Sequence, residues 1–209
     1  MLITISRQYG AGGSSVAQLI AERLGWTVVD NELIDRVAAR AGVTPQEVAA
    51  QEERSPGLFE RIVMALAASS QELLTAESAQ SLKPLDEPGL VKITEKVVAE
   101  VAAEGRVVLV GRAAAAVLVG AHDAIHVRLV APKPHRIGVV AARLGVDRPA
   151  AEAAIDKTDA NRARYHREYY RREWTDPAHY HLTLNTGVLG YEAAAELVVT
   201  RARQMGWTA

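Results

Sequence analysis

The chain has 209 residues, and its hydrophobic fraction of 49% and charged fraction of 23% are typical of a folded globular protein. Its 24 Lys and Arg residues nearly balance its 25 Asp and Glu residues, so no overall charge favours binding to nucleic acid or to a membrane. The sequence lacks cysteine, which excludes disulfides and thiolate metal sites, and it shows neither a signal-peptide pattern nor an apolar run of the ~20 residues that cross a bilayer. We therefore expect a single cytoplasmic domain, residues 1–209.

Short apolar runs alternate along the chain with helical patterns, and this alternation predicts an α/β fold with a parallel central sheet. The predicted strands are residues 2–5, 26–29, 106–110, 125–130 and 181–184. Between the second and the third strand, residues 44–84 have helical patterns only, and this insert either covers a ligand site or forms a homodimer contact. Residues 82–89 contain two prolines and are interpreted as a connection, and residues 192–205 as a closing helix.

A glycine-rich segment, S-R-Q-Y-G-A-G-G-S-S at residues 6–15, joins the first predicted strand to the first helix. Glycines let backbone N–H groups curl around an anion, and a helix that begins near Gly13 adds its positive dipole end. The predicted phosphate-binding residues are Gly10, Ala11, Gly12, Gly13, Ser14 and Ser15.

The segment departs from the usual P-loop pattern, G-x-x-x-x-G-K-[ST]. Gly12 and Ser14 match that pattern, whereas Arg7 stands at the first glycine and Gly13 at the lysine. A glycine-rich turn that only lets helix and strand pack closely is therefore an alternative that the pattern leaves open.

The run I-S-R-Q-Y-G-A-G-G at residues 5–13 resembles the opening motif of the cytidylate kinase-like family, a branch of the P-loop nucleoside-monophosphate kinases. V-V-L-V-G-R at residues 107–112, the acid and arginines Asp159, Arg162 and Arg164, and residues 173–186 extend the resemblance over nearly the whole chain. It implies a P-loop kinase-like three-layer fold with a parallel sheet, ATP as phosphoryl donor, Mg²⁺, and a pyrimidine nucleoside monophosphate as acceptor. Ser14 is the expected Mg²⁺ contact.

The acceptor site is expected beyond the carboxyl ends of the strands, where Asp30, Gly111 and Arg112 fall. The resemblance implies that Asp30, Arg36 and Arg112 bind the acceptor, and a guanidinium fork suits a phosphate group. Alternatively, Asp30 is only a helix cap and Arg36 a solvated helix residue. Conventional cytidylate kinases carry acids on either side of the Gly-Arg pair, where this chain has Val110 and Ala113.

The segment of residues 150–175 concentrates arginines in a chain that is otherwise neutral, with Arg164, Arg167 and Arg171 on one predicted helical face. Such a segment suits a lid that closes over a triphosphate. The resemblance marks Arg162 and Arg164 as lid arginines, and together with Arg7 they are the candidates to replace the missing lysine. The alternative is a solvated amphipathic helix whose Tyr165 and Tyr169 face the core.

These patterns together predict a nucleotide phosphotransferase that resembles cytidylate kinase and uses ATP and Mg²⁺. Its expected partners are small nucleotides, with neither nucleic acid nor membrane among them. A nucleotide-binding module without turnover is the alternative, because Gly13 replaces the lysine and no acid stands at Val110.

Overall fold

A parallel sheet forms the centre of the protein, of which the computed structural model describes residues 1–30 and 87–207. The strands are β1 (Leu2–Arg7), β2 (Thr27–Val29), β3 (Val107–Val110), β4 (Ala124–Val130) and β5 (Leu182–Asn185). The helices in this part are α1 (Gly13–Leu24), α2 (Glu87–Glu104), α3 (Ala114–Val117), α4 (Lys133–Leu144), α5 (Arg148–Tyr170) and α6 (Thr186–Gln204), with a 3₁₀ turn at Pro177–His179.

The five strands lie in the order β2-β3-β1-β4-β5 and every pairing between neighbours is parallel. Thus β3 lies on one side of β1 and β4 on the other. In open α/β sheets with such an order, ligands bind in the crevice at the carboxyl ends of the strands. The ladder between β1 and β3 continues past Val110, since the Gly111 N–H donates to the carbonyl of Ile5 at 3.0 Å. The end of β1 and the turn after β3 are thus adjacent.

Helices cover both faces of the sheet, which explains the continuous apolar runs of its strands. Ile3, Ile5 and Val127 pack with α1 and α6 in one buried cluster. Leu2 and Leu109 belong to a second cluster with α2 and α3 on the opposite face. The fold is therefore the predicted α/β arrangement of three layers with a parallel central sheet.

One predicted boundary is wrong. Residues 87–89 are not a connection, because α2 begins at Glu87 and accommodates Pro88 in its first turn, where the missing N–H of proline costs no helical hydrogen bond. The segment α6 begins at Thr186, where the Asn185 side chain accepts the Gly187 N–H at 3.1 Å, and Gly190 interrupts it with φ 76° and ψ 165°. The predicted closing helix, residues 192–205, corresponds to the part of α6 that follows this interruption. The predicted insert of residues 44–84 lies outside the described residues.

Buried polar side chains line the face of β1 and β4 that lies opposite α1, a feature that the sequence analysis missed. Thr4 Oγ1 and His126 Nδ1 form a hydrogen bond of 2.8 Å, and Ser6 Oγ accepts the indole N–H of Trp174 at 2.9 Å. The Arg128 guanidinium donates to the Trp174 carbonyl at 2.7 Å and lies 4.2 Å from the centre of its ring. These contacts fix the segment after α5 against the sheet.

Among residues 1–30 and 87–207, the helices are too short or too polar to span a membrane.

The buried histidine should make stability depend on pH. Burial and the neighbouring charge of His181 lower the pKa of His126 from 6.5 to about 4, so the unfolded chain binds a proton that the folded protein excludes between these values. Stability is therefore full above pH 6.5 and is lost as the pH falls towards 4, by on the order of 2–3 kcal/mol. Urea unfolding of the parent and of His126→Asn, which keeps an acceptor near Thr4 but does not titrate, should show a flatter pH dependence in the variant. Equal slopes would contradict this account.

Candidate functional site

The segment between β1 and α1 forms a tight turn at the carboxyl edge of the sheet. Gly10 and Gly12 have φ values of 84° and 78°, which are in the left-handed region that favours glycine. The Ala11 N–H donates to the Gln8 carbonyl at 3.1 Å, and α1 begins at Gly13 with Gly12 as its N-cap residue. The predicted loop thus ends in a helix N-terminus, which is the geometry that binds anions.

This loop forms one wall of an open cleft of about 310 Å³. Gly10, Gly12 and Gly13 line it on one side, and the arginines Arg7, Arg143 and Arg162 also face it. Such a cleft combines helix-terminal N–H groups with positive side chains, so it suits a ligand that carries several negative charges.

Ser14 and Asp30 lie at the same cleft and contact each other: the Ser14 hydroxyl donates to Asp30 Oδ2 at 2.7 Å. A hydroxyl and a carboxylate oxygen are ligands that Mg²⁺ prefers, so this pair fits the metal that the sequence analysis implies. Asp30, expected to bind the acceptor, is thereby placed beside the first turn of α1. Arg36, the second expected acceptor residue, lies outside the described residues.

Arg112, the third expected acceptor residue, follows β3 in an unusual backbone segment. Gly111, Arg112 and Ala113 have φ values of 79°, 53° and 49°, and left-handed conformation costs about 1–2 kcal/mol for each residue other than glycine. The Arg112 side chain is only 8% exposed. Gly111 and Ala113 line a small cavity beside Arg7 and Arg162. Strain of this kind is typical of functional sites.

The three candidate catalytic arginines make different contacts. Arg162 is 7% exposed and donates to the Arg7 carbonyl at 2.9 Å, and Arg164 pairs with Glu168 at 3.1 Å. The third, Arg7, extends from the end of β1 beneath the start of α1 to the turn after β3, where it lies against Gly13 and Gly111.

The arginine-rich helix α5 is attached to the loop through Asp159. Its carboxylate accepts the Tyr9 N–H at 2.8 Å and pairs with Arg136 of α4 at 2.7 Å. The same Arg136 donates to the Tyr9 carbonyl at 3.1 Å, so two helices hold the main chain of one loop residue. Only the family motif marked Asp159 in the sequence, because Tyr9, whose N–H it accepts, lies 150 residues away.

The predicted face of Arg164, Arg167 and Arg171 is wrong at its last member, because α5 ends at Tyr170 and Arg171 is left-handed at φ 50°. Tyr165 is 3% exposed and packs against apolar residues, as the amphipathic-helix interpretation predicts.

Tyr191 and Arg143 are site residues that no sequence motif marked. The Tyr191 ring lies so close to the loop that a Cβ on Gly12 would be 2.8 Å from its Cδ1 atom. The Arg143 guanidinium lies 4.7 Å from the centre of the Tyr9 ring. Both side chains come from helices whose approach to the loop depends on the folded sheet.

The strand order, the glycine-rich turn and the charged cleft together define a P-loop kinase-like α/β protein. Solved structures with this fold include an uncharacterized protein from Eubacterium ventriosum ATCC 27560, at 20% identity over 97% of this chain and 98% of that chain, with a TM-score of 0.67. Shikimate kinase from Acinetobacter baumannii in complex with shikimate matches at 15% identity over 98% and 93%, with a TM-score of 0.52. Shikimate kinase from Bacteroides thetaiotaomicron matches at 15% identity over 98% and 97%, with a TM-score of 0.53.

The model of the cytidylate kinase-like family matches residues 2–188, so the chain belongs to that family. No curated protein matches the sequence. Family and fold together support a nucleotide kinase, whereas the likeness to the solved structures concerns the fold alone.

The attachment of α5 to the loop can be tested by comparing two aspartates of the same helix. Asp159→Ala leaves the largely buried Arg136 without its carboxylate and should lower the free energy of unfolding by about 3 kcal/mol. Asp156→Ala should leave it nearly unchanged, because its partner Lys133 is exposed and also pairs with Glu152. Urea unfolding measures both, and an equal loss in the two variants would show that Asp159 is no anchor.

Proposed function

We propose that this protein is a nucleotide phosphotransferase that transfers the γ-phosphate of ATP to a pyrimidine nucleoside monophosphate. The observation that carries the proposal is the loop of residues 10–15, which turns through two left-handed glycines into a helix N-terminus and opens on a cleft lined by arginines. Membership of the cytidylate kinase-like family supports phosphoryl transfer and suggests a pyrimidine acceptor.

In this proposal, backbone N–H groups of residues 10–15 bind the donor phosphates, and the dipole of α1 stabilises their charge. Ser14 and Asp30 would hold Mg²⁺, which neutralises charge on the donor phosphates when it is bound. The protein contributes mainly position and positive charge, since phosphoryl transfer needs little covalent chemistry from an enzyme.

The transfer itself is a direct displacement. An oxygen of the acceptor phosphate attacks the γ-phosphorus, the bond between that phosphorus and the β,γ-bridging oxygen breaks, and ADP leaves with the bond electrons. The products are ADP and a nucleoside diphosphate. We assign Arg36 and Arg112 to the acceptor phosphate, with Asp30 at the boundary between donor and acceptor, and Arg7, Arg162 and Arg164 to the developing charge.

A nucleotide-binding module without turnover is the second candidate. It is favoured by Gly13 at the lysine position and by the contacts of Arg162 with a main-chain carbonyl and of Arg164 with Glu168, which engage both lid arginines within the protein.

The two candidates differ in whether ADP forms from ATP and Mg²⁺ in the presence of an acceptor. A coupled assay should show ADP release with CMP, dCMP or UMP, and none with AMP, GMP or shikimate. Release that depends on a purine nucleotide or on shikimate would contradict the acceptor class. Tight binding of an ATP analogue without turnover on any acceptor would favour the non-catalytic module.

Gly12→Val provides the matched variant for this assay. Its Cβ would meet the Tyr191 ring and its backbone would be strained at φ 78°, so turnover should fall about 100-fold. Gly138→Ala in α4 is the control, because a Cβ there meets no atom within 4 Å and turnover should stay at the parental value.

A further inference from the structure

Gly13 lacks a conformational reason to be glycine. Its φ is not among the positive values that distinguish Gly10 and Gly12, and it forms the first residue of α1. Alanine has a higher helix propensity than glycine, so the helical conformation does not explain glycine at this position. A compensating feature must lie in the space where a side chain would be.

That space is filled by Arg7. A Cβ on Gly13 would lie 2.7 Å from Arg7 Cγ, which is closer than packed atoms come, and 3.2 Å from Arg7 Cδ, which is a tight contact. The guanidinium end of the same side chain occupies the corresponding space at Gly111, where a Cβ would lie 2.8 Å from Arg7 Cζ. One arginine therefore lies across two glycines, with its stem under the start of α1 and its charge at the end of β3.

This placement coincides with the departure from the P-loop pattern. Gly13 stands where the pattern has lysine, and the Arg7 stem passes the point from which a lysine side chain would leave the backbone. Arg7 lines the cleft together with Gly10, Gly12 and Ser14. The P-loop pattern thus has its positive side chain in the first turn of the helix, whereas this chain has one at the last residue of the preceding strand.

The two lid arginines make other contacts at this site. Arg162 donates to the carbonyl of Arg7 and so holds the main chain from which the Arg7 side chain extends. Arg164 pairs with Glu168, one turn further along α5. Arg162 therefore also positions Arg7.

We propose that Arg7 is the catalytic cation that replaces the P-loop lysine, and that Gly13 is glycine to admit it. The inference rests on the proposed function, because it assigns a residue of the same site. A guanidinium can bind two phosphate oxygens at once. It stabilises charge on the β- and γ-phosphates and takes no proton in the transfer.

The proposal predicts that two substitutions compensate each other. Arg7→Ala should lower kcat and the affinity for a non-hydrolysable ATP analogue, with kcat falling about 100-fold. Gly13→Lys alone should also impair the protein, because the lysine Cβ collides with the Arg7 stem. The double variant, Arg7→Ala with Gly13→Lys, places a lysine at the position that the P-loop pattern gives it and should be at least about 10-fold more active than either single variant.

Three further measurements make the outcome decisive. Calorimetry measures the affinity of each variant for the ATP analogue alongside its kcat. Arg23→Ala, at the far end of α1, controls for the loss of an arginine. Gly13→Ala serves if Gly13→Lys does not fold. Added to the parent protein, it should lower the melting temperature, because its Cβ collides with the Arg7 stem. Added to Arg7→Ala, it should raise the melting temperature of that variant, because alanine then favours the helix without a collision.

A parental kcat in Arg7→Ala, or a double variant no better than the single ones, overturns the proposal. If the parent binds the ATP analogue and Arg7→Ala binds it equally well and turns over equally fast, only the role of Arg7 is refuted. A parent that binds no nucleotide refutes the proposed function and this inference with it.

Discussion

The structure depends on the close approach of side chains to three glycines of the loop after β1, which have no Cβ atom. Val140 and Arg136 of α4 lie against Gly10, the Tyr191 ring of α6 lies against Gly12, and the Arg7 side chain lies against Gly13. The added Cβ distances are near or below 3.0 Å at all three positions, so a larger residue would force apart the elements that meet there. The glycines therefore fix how α4, α6 and β1 converge.

Polar contacts hold this convergence in place. Asp159 and Arg136 bind the main chain of Tyr9, and Arg162 binds the carbonyl of Arg7, so that α5 attaches to the loop at two points. Deeper in the sheet, Ser6 and Arg128 anchor Trp174. A preorganised loop of this kind does not need to reorganise when charge develops on a bound phosphate, and such preorganisation is the main source of electrostatic catalysis.

The sequence was informative where local patterns determine structure and silent where distant segments meet. The glycine-rich turn and the start of α1 at Gly13 follow from residues adjacent in the chain, and parallel strands follow from apolar runs separated by helices. The contact of Arg7 with Gly13 and Gly111 could not be predicted, because it requires the pairing of β1 with β3 across about a hundred residues of chain. Tyr191 escaped prediction for the same reason, and the burial of His126 on β4 depends on its packing against Thr4 of the neighbouring strand.

The central claim is that the main chain of residues 10–15 binds the phosphates of a nucleotide, and amide NMR of the labelled protein tests it most directly. Titration with a non-hydrolysable ATP analogue and Mg²⁺ should shift the N–H resonances of Gly10 to Ser15 more than those of any other segment, since these groups would become hydrogen-bond donors to phosphate. Resonances of the loop that stay unchanged at saturating analogue, or shifts confined to the opposite edge of the sheet, would contradict the account.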